Sequence, residues 1–168
     1  NGISIVACKV ANLDNINSYL QNGTNPESGI DLEPNPDCVV EDINMSNINT
    51  YNNNGPGFVS SAARVTLSNL HAYNNGTRGV WIASEGGHLF NNLFCYNNTE
   101  AGIYLGFSSK VYVNNAACNN NGLQGISVIN CIEDIYVIAC MLYSNTMQGL
   151  LISGATMTKW GISNSVIS

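Results

Sequence analysis

The sequence is poor in charge. Only 10% of its 168 residues are Asp, Glu, Lys or Arg, against roughly 25% in an average soluble domain. Eleven Asp and Glu residues outnumber five Lys and Arg residues, and the net charge is -6 at pH 7. So acidic a chain lacks the basic surface with which proteins bind nucleic acid or an anionic membrane, and we expect neither partner.

Long apolar runs and metal-binding cysteine motifs are absent too. No segment of the sequence reaches the roughly 18 consecutive apolar residues of a membrane-spanning helix. The six cysteines occur without a Cys-x-x-Cys or Cys/His spacing. This absence argues against a zinc site and favours free, buried thiols.

What the chain has in abundance is asparagine, its most frequent residue, and a short repeat that begins with glycine. Each copy reads Gly, an apolar residue, any residue, then usually a second apolar residue. Successive glycines lie roughly 22–28 residues apart, a step too short for helical-hairpin repeats. The alternation between Asn/Gly turns is typical of strands. The glycines are Gly2, Gly29, Gly57, Gly79, Gly102, Gly125 and Gly149.

Two polar columns share this register. In five of six coils a pair of inward residues, usually apolar-x-apolar, begins at the same distance before the glycine of the next repeat. In five of six coils an Asn follows this pair. Because equivalent residues of stacked strands lie about 4.8 Å apart, we predict that these Asn amides form a hydrogen-bonded ladder. A tyrosine column and a Tyr-Asn-Asn turn come next, leading to a glycine that would allow a positive φ or a close backbone approach. The ladder comprises Asn15, Asn47, Asn69, Asn92 and Asn115, and the column comprises Tyr19, Tyr51, Tyr73, Tyr96 and Tyr143.

This pattern resembles the right-handed parallel β-helix of the pectin-lyase-like superfamily over the whole chain. We therefore predict an all-β fold, a right-handed single-stranded parallel β-helix (solenoid) of about seven coils of 22–28 residues with an Asn ladder. Residues 1–168 are expected to form a single domain that is part of a longer protein. The Asn-Thr-Asp and Gly-His-Gly motifs of polygalacturonases and the Asp-Pro-His motif of alginate epimerases are absent. What remains looks most like phage tailspike and depolymerase β-helices.

The coils are enlarged at two places. Residues 20–28 include four extra residues before Gly29, and residues 33–42 include five or six extra residues after it. Six of the eleven acids fall within residues 27–42, and no Lys or Arg occurs between Lys9 and Arg64. Because long loops on a rigid scaffold commonly carry function, we expect an acidic site without counter-charges around the strand 29–33.

Two acids of that strand are our candidate catalytic residues. By alternation Ile30 and Leu32 face the core, so we predict that Asp31 and Glu33 point outwards together, roughly 6.6–7 Å apart at Cα. One would be the acid that protonates a glycosidic oxygen, and the other the carboxylate that activates water. Such a spacing suits a hydrolysis that inverts the configuration at the sugar carbon, and this reaction requires no cofactor. Our leading hypothesis is polysaccharide binding and cleavage by a glycosidase.

Aromatic residues lie along the same outward column. Trp81 and Tyr104 are expected two and three coils beyond Asp31, at roughly 10 and 14 Å. Aromatic rings pack against the C–H faces of sugars while carboxylates bind their hydroxyl groups. We therefore predict a groove for a capsular, O-antigen or other cell-surface polysaccharide. Its substrate-binding residues would be Glu27, Asp37, Trp81 and Tyr104.

Other interpretations stay open. The acids could form the solvated face of a non-catalytic structural or adhesive β-helix. They could also hold Ca²⁺, a cation that binds carboxylates, as in a Ca²⁺-dependent polysaccharide lyase, for which Lys9 is the nearest base. His71 and His88 are expected to be structural. The likeness to tailspikes implies a homotrimer and a location outside the cell or on the virion tail.

Overall fold

The computed structural model describes residues 1–23, 27–84 and 86–168. Every regular element in these ranges is a β-strand, and the strands pair in parallel along the whole chain. The strands wind around one continuous apolar core. The predicted all-β solenoid of about seven coils with an Asn ladder is confirmed.

The first sheet contains one short strand from each of seven coils, and the repeated glycine stands directly before each strand. Its order along the solenoid axis follows the order along the chain. The outward residues of neighbouring strands are paired in the predicted register, including Asp31 with Val59, Val59 with Trp81, and Trp81 with Tyr104. The strands are β1 (Ile3–Ile5), β3 (Ile30–Leu32), β5 (Phe58–Ser60), β7 (Val80–Ile82), β9 (Ile103–Gly106), β12 (Ile126–Ile129) and β15 (Leu150–Ser153).

The second sheet has ten strands and forms the rest of each coil. In the first four coils a single long strand continues through the ladder position, where the Asn residues have φ between 54° and 56°. Asparagine tolerates this left-handed conformation, so the strand bends without ending. In three later coils the strand is interrupted at the bend, with one short strand before it and one after it. The strands are β2 (Ala11–Tyr19), β4 (Glu41–Tyr51), β6 (Ala63–Tyr73), β8 (His88–Tyr96), β10 (Val111–Asn114), β11 (Ala117–Asn119), β13 (Ile135–Ile138), β14 (Met141–Tyr143), β16 (Trp160–Ser163) and β17 (Val166–Ile167).

The repeated glycines are required by close backbone approach. A Cβ on Gly57 would lie 2.8 Å from the carbonyl oxygen of Gly79, and one on Gly79 would lie 2.6 Å from that of Gly102. Within the described ranges, the glycines with positive φ are Gly86 and Gly154, neither of which opens a first-sheet strand. The expected close approach is therefore confirmed, and the alternative of a positive φ is wrong.

The predicted ladder and tyrosine column both form, except at one end of each: Asn15 donates to Asp14 and not to the next Asn, and Tyr143 accepts a hydrogen bond from Asn119 in place of a stacked ring. Asn92 donates its amide to Asn69 at 3.0 Å, and Asn115 donates to Asn92 at 2.6 Å. At the beginning of the ladder, Asn47 donates to Asp14 at 2.8 Å. Most of these amides are exposed at the corner of the solenoid. The column stacks face to face, with 4.9–5.1 Å between ring centroids along Tyr19, Tyr51, Tyr73 and Tyr96.

A second, inner asparagine ladder was not predicted. It is made by the second Asn of each Tyr-Asn-Asn turn or by the residue at the same register. Asn98, which is buried, donates to the Asn121 side chain and to the Ala72 carbonyl, both at 3.0 Å, and accepts from the Asn75 side chain at 3.0 Å. These bonds satisfy polar groups that the tight turn takes out of water. The inner ladder comprises Asn53, Asn75, Asn98, Asn121 and Asn145.

All six cysteines are free thiols, as predicted, but the expected burial is wrong for Cys8, which is half-buried, and for Cys38, which is exposed. Four of them are buried, and Cys95 lies beside Cys118 in adjacent core positions of β8 and β11. Cys131 follows β12 at a turn and is also fully buried. No helix of the described residues is both long and apolar enough to cross a membrane.

Candidate functional site

A cleft of about 250 Å³ opens on the outer side of the first sheet, near its middle. Two of the predicted substrate-binding residues, Glu27 and Trp81, line it together. Tyr104 lies beside the cleft, with its ring at right angles to that of Trp81 and 6.4 Å away. The cleft is lined by Glu27, Asn54, Gly55, Pro56, Thr77, Arg78 and Trp81.

Arg78 is central to this cleft and was not among the predicted site residues. Its guanidinium carbon lies 4.5 Å from the ring centroid of Trp81 and 4.3 Å from that of Tyr104. One of its nitrogens lies 3.0 Å from a carboxylate oxygen of Glu100. A guanidinium over aromatic faces gains cation–π attraction, and the carboxylate fixes its direction. Arg78 therefore covers ring surface that was expected to be free for a sugar.

Coil stacking brings these groups together. Trp81 and Tyr104 are outward central residues of neighbouring strands β7 and β9. Arg78 precedes the glycine before β7, and its carbonyl accepts the N–H of Gly57 in the neighbouring coil at 3.0 Å. Glu27 is held in the same way, because its carbonyl accepts the N–H of Gly55 at 3.0 Å. The backbone beneath the cleft is therefore held by the sheet and its turns.

The hydroxyl of Thr77 adds an unsatisfied polar group to the cleft. Its Oγ1 is buried and has no hydrogen-bond partner among the described residues. A buried polar atom without a partner is uncommon in proteins and calls for a ligand, a water molecule or strain to explain it. Because Thr77 lines the cleft, this unsatisfied atom lies close to the place where a ligand would bind.

Asp31 occupies the predicted outward position of β3 but is almost completely buried. Only 3% of its surface is exposed. Asn1 covers it by donating its side-chain amide to Oδ2 at 2.7 Å, and Oδ1 has no partner in the described part of the chain. Burial, reinforced by the charge of Glu33, raises the pKa of the Asp31 carboxyl above its ordinary value, while the bond from Asn1 lowers it. The expectation of a solvated Asp31 is therefore wrong, since neighbouring segments cover the strand.

Glu33 and Asp37 lie outside the sheet. The strand expected over 29–33 covers Ile30–Leu32, so Glu33 is the first residue after β3 and is exposed. Asp37 lies in the following loop, is exposed, has a φ of 66° and is not among the residues that line the cleft. Of the first enlarged loop, residues 24–26 lie outside the described residues. The structure thus brings Glu27, Trp81 and Tyr104 together, with Asp31 two strands from Trp81 and Asp37 elsewhere.

The acidic segment has a counter-charge that was not expected. Arg64, one coil further along, pairs with both Glu41 and Asp42, and its Nε lies 2.6 Å from Oδ1 of Asp42. Hydrogen bonds from Arg64 hold the pKa of the Asp42 carboxyl below its ordinary value. The expected absence of counter-charges was wrong, because stacking brings together residues that are one coil apart in the chain. Across the described ranges, His, Cys, Asp and Glu side chains form no group of three or more suited to a metal ion.

The two histidines have ordinary structural surroundings. His71 is exposed and lies against Phe94, with 4.9 Å between their ring centroids. His88 is buried, accepts the Val65 N–H at Nδ1 at 3.3 Å, and has its Nε2 3.2 Å from the hydroxyl oxygen of Ser84. Burial lowers the pKa of His88 to about 4, so the ring is neutral at pH 7. Neither histidine lines the cleft.

Comparisons with known proteins agree with this architecture. A family model described as a right handed beta helix region matches residues 1–167. The chain belongs to this right-handed β-helix family. Among curated proteins, none matches the sequence.

One solved structure has a similar fold. It is the A-module of the mannuronan C-5 epimerase AlgE4 of Azotobacter vinelandii, which is 14% identical to this chain with a TM-score of 0.58. The alignment covers 96% of this chain and 57% of the module's chain. The β-helix family member described here thus spans little more than half of that module's length, and at this identity the likeness concerns the fold alone.

Proposed function

We propose that this β-helix binds a polysaccharide along the outer face of its first sheet and cleaves it with Asp31 and Glu33. The observation that carries the proposal is the cleft in which Trp81, Arg78 and Glu27 meet, with Tyr104 beside it. An apolar ring surface beside a hydrogen-bond donor and a hydrogen-bond acceptor suits sugars, which present C–H faces and hydroxyl groups together. The mannuronan epimerase with the similar fold is named for a polysaccharide substrate, which supports this ligand class.

Binding would use the groups at the cleft in separate roles. The rings of Trp81 and Tyr104 would pack against sugar C–H groups along the surface that Arg78 leaves free. The guanidinium N–H groups of Arg78 would donate to sugar oxygens, and Glu27 would accept from hydroxyl groups. A glycan hydroxyl would also satisfy Thr77 Oγ1. Arg78 and Glu27 would thereby exchange hydrogen bonds with water for hydrogen bonds with sugar.

Cleavage would use the two carboxyl groups in opposite protonation states. Asp31, whose pKa is raised, would donate its proton to the glycosidic oxygen as the bond to the sugar carbon breaks. The Glu33 carboxylate would take a proton from the water that adds to the same carbon. The products are two shorter glycans, and the step requires no cofactor. The chain lacks the Asp-Pro-His motif of alginate epimerases, so we do not propose epimerisation.

The test separates binding from cleavage. The ligand is a capsular or O-antigen glycan that the unaltered protein cleaves. Trp81→Ala and Arg78→Ala should each weaken binding of this glycan about tenfold or more. Asp31→Asn and Glu33→Gln should bind it and leave it uncut. The matched control for the loss of an aromatic ring is Phe107→Ala, which removes an exposed ring from the turn between β9 and β10. The matched control for the loss of a carboxylate is Asp14→Asn. Continued depolymerisation by both carboxylate variants removes the catalytic assignment.

The burial of Asp31 favours a second candidate function. With 3% of its surface exposed, Asp31 reaches a glycosidic oxygen only if Asn1 moves away. A non-catalytic, glycan-adhesive β-helix needs no such movement. Under this alternative Trp81→Ala weakens binding, and no glycan that binds is cut by the unaltered protein. Viscometry of the glycan solution distinguishes the two functions.

The proposal includes a location and an assembly. A protein that binds capsular, O-antigen or other cell-surface glycans would act outside the cell or on a virion tail. A homotrimer of the tailspike kind remains a prediction, and sedimentation of the purified chain tests it.

A further inference from the structure

The second sheet carries a larger groove, of about 690 Å³, on its outer side. The groove and the cleft of the first sheet have no lining residue in common. The first strand segment of β8 and strand β10 form its base, and the turn before β13 forms one edge. Its lining residues are Gly87, His88, Leu89, Lys110, Tyr112 and Asp134.

The base of the groove presents an exposed apolar surface. Leu89 and Tyr112 are paired across neighbouring strands and are 43% and 42% exposed. The ring of Tyr136 stacks on that of Tyr112, with 5.0 Å between centroids and 12° between planes. Tyr136 therefore covers one face of the Tyr112 ring, and the opposite face is directed along the axis towards Leu89. An aromatic face held in this way is suited to the C–H face of a flat ligand ring.

The edge of the groove carries charges of both signs. Lys110 lies 3.2 Å from Glu133, and Asp134 accepts a hydrogen bond from the Thr158 hydroxyl at 2.9 Å. The Lys110 ammonium has three N–H groups and the Asp134 carboxylate has two oxygens, so both keep hydrogen-bonding capacity for a ligand. One Lys against two acids leaves the edge slightly acidic, and the chain as a whole has a net charge of -6. The groove thus favours a neutral ligand with hydroxyl groups and disfavours an anionic one.

The size of the groove distinguishes a small ligand from a protein. Its volume falls within the roughly 300–1,000 Å³ of small-molecule sites. Six residues line it, whereas a stable protein interface takes about 20–30 residues from each partner. The Lys110–Glu133 pair and Asp134 at the edge also interrupt the apolar surface that a second copy of the chain would need to bury.

We propose that this groove is a second carbohydrate-binding site, which takes a neutral oligosaccharide with one sugar ring against Tyr112. Lys110 donates to the sugar oxygens, Asp134 accepts from hydroxyl groups, and Leu89 contacts the apolar face. This site is independent of the function proposed for the first sheet.

Gly87 allows the site to be blocked without disturbing the core. No atom of the described residues lies within 4 Å of the position of a Cβ on Gly87, and its φ lies outside the left-handed region. A phenylalanine at this position would extend into the groove. Gly23 is equally open among the described residues and lies in the loop before β3, so the same exchange there is a matched control.

The experiment titrates neutral trisaccharides into protein with ¹³C-labelled tyrosine rings, using maltotriose, cellotriose, mannotriose and chitotriose, with trigalacturonate as the anionic counterpart. We expect a neutral trisaccharide to shift the ring signals of Tyr112 and Tyr136. Gly87→Phe should raise its Kd about tenfold or more, and Gly23→Phe should leave the Kd unchanged. Thermal melting of both variants checks that each is folded.

Several results would overturn the proposal. One is that no neutral trisaccharide shifts Tyr112, and another is that Gly87→Phe binds as tightly as Gly23→Phe. Preferential binding of trigalacturonate contradicts the charge argument. Shifts of Tyr112 on raising the protein concentration alone, without sugar, would show that a second copy of the chain covers the groove.

Discussion

The two asparagine ladders allow a sharp comparison, because the same substitution removes a fully buried amide from one and a half-buried amide at the surface from the other. Asn98 belongs to the inner ladder and Asn92 to the outer one, in the same coil. We expect Asn98→Ala to lower the free energy of unfolding much more than Asn92→Ala.

The difference follows from the bonds that each amide makes. The Asn98 side chain takes part in four hydrogen bonds, donating to Ala72 and Asn121 and accepting twice from Asn75. At about 1 kcal/mol for each bond, Asn98→Ala costs about 4 kcal/mol. The backbone N–H of Asn75 also loses its partner at a site that excludes water. The φ of Asn98 is not positive, so alanine adds no backbone strain there.

Asn92→Ala has a smaller cost of another kind. Asn92 donates to Asn69 and accepts from Asn115 near the surface, where water replaces both bonds at little cost. Its φ of 56° is left-handed, and alanine at such a position costs about 1–2 kcal/mol. Ala139 already occupies the same corner one coil after Asn115, with a φ of 53°, so the fold accepts the exchange.

Urea titration followed by the fluorescence of Trp81 and Trp160 measures both changes. The variants should share a similar m-value and differ in midpoint, with about 2 kcal/mol or more between their free energies of unfolding. Equal losses, within about 0.5 kcal/mol, would refute the reasoning, because they would mean that water reaches the inner ladder. Asn98→Ser, which keeps a small hydrogen-bonding group, should fall between Asn98→Ala and the unaltered protein.

Two further predictions concern titration and thiol chemistry. His88 has a pKa of about 4 in the folded protein, whereas a histidine in an unfolded chain has a pKa of about 6.5. As pH falls from about 6.5 towards 4, the unfolded chain binds this proton first, so the contribution of neutral His88 to the free energy of unfolding is lost. Between about pH 7.5 and pH 5 the free energy of unfolding should fall by about 2 kcal/mol from this cause. Urea titrations at the two pH values should show this fall in the unaltered protein but not in His88→Gln. Equal falls in both proteins would contradict the prediction. Thiol labelling followed by mass spectrometry should modify exposed Cys38 first in the native protein and reach buried Cys95 and Cys118 only in urea. Burial also raises the pKa of two further thiols, those of Cys131 and Cys140, and so slows their labelling. Equal labelling of all six cysteines in the native protein would argue against the fold.

The sequence was sufficient to predict the coil and its register. Repeated glycines, inward apolar pairs and the outer Asn ladder recur at fixed steps, and each repeat states the same pairing again. The burial of the inner ladder was not accessible in this way. Both residues of an Asn-Asn pair such as Asn97 and Asn98 look like turn residues, and only the structure shows that the first has a φ of 55° and the second faces inwards.

The candidate site was less predictable because its contacts cross between coils. Arg64 and Asp42 are separated by one coil step along the chain, so the register held the signal for their ion pair. A count of charges along the chain does not detect this ion pair, because its two residues are far apart in the sequence. Arg78 and Glu100 are likewise separated by one coil step and meet beside the cleft. A search for opposite charges one coil apart would have found both pairs.

The burial of Asp31 required information of a different kind. Alternation correctly places Asp31 on the outer side of β3, but an outward side chain is exposed only when nothing lies over it. Here Asn1 does, and it is itself held by Ser28 from the loop before the strand. A solenoid repeat therefore fixes the direction of each side chain, while the irregular segments between strands decide which of them reach solvent. Those segments do not repeat, so they also determine where a coil of otherwise uniform surface can acquire a raised pKa, a cleft and a function.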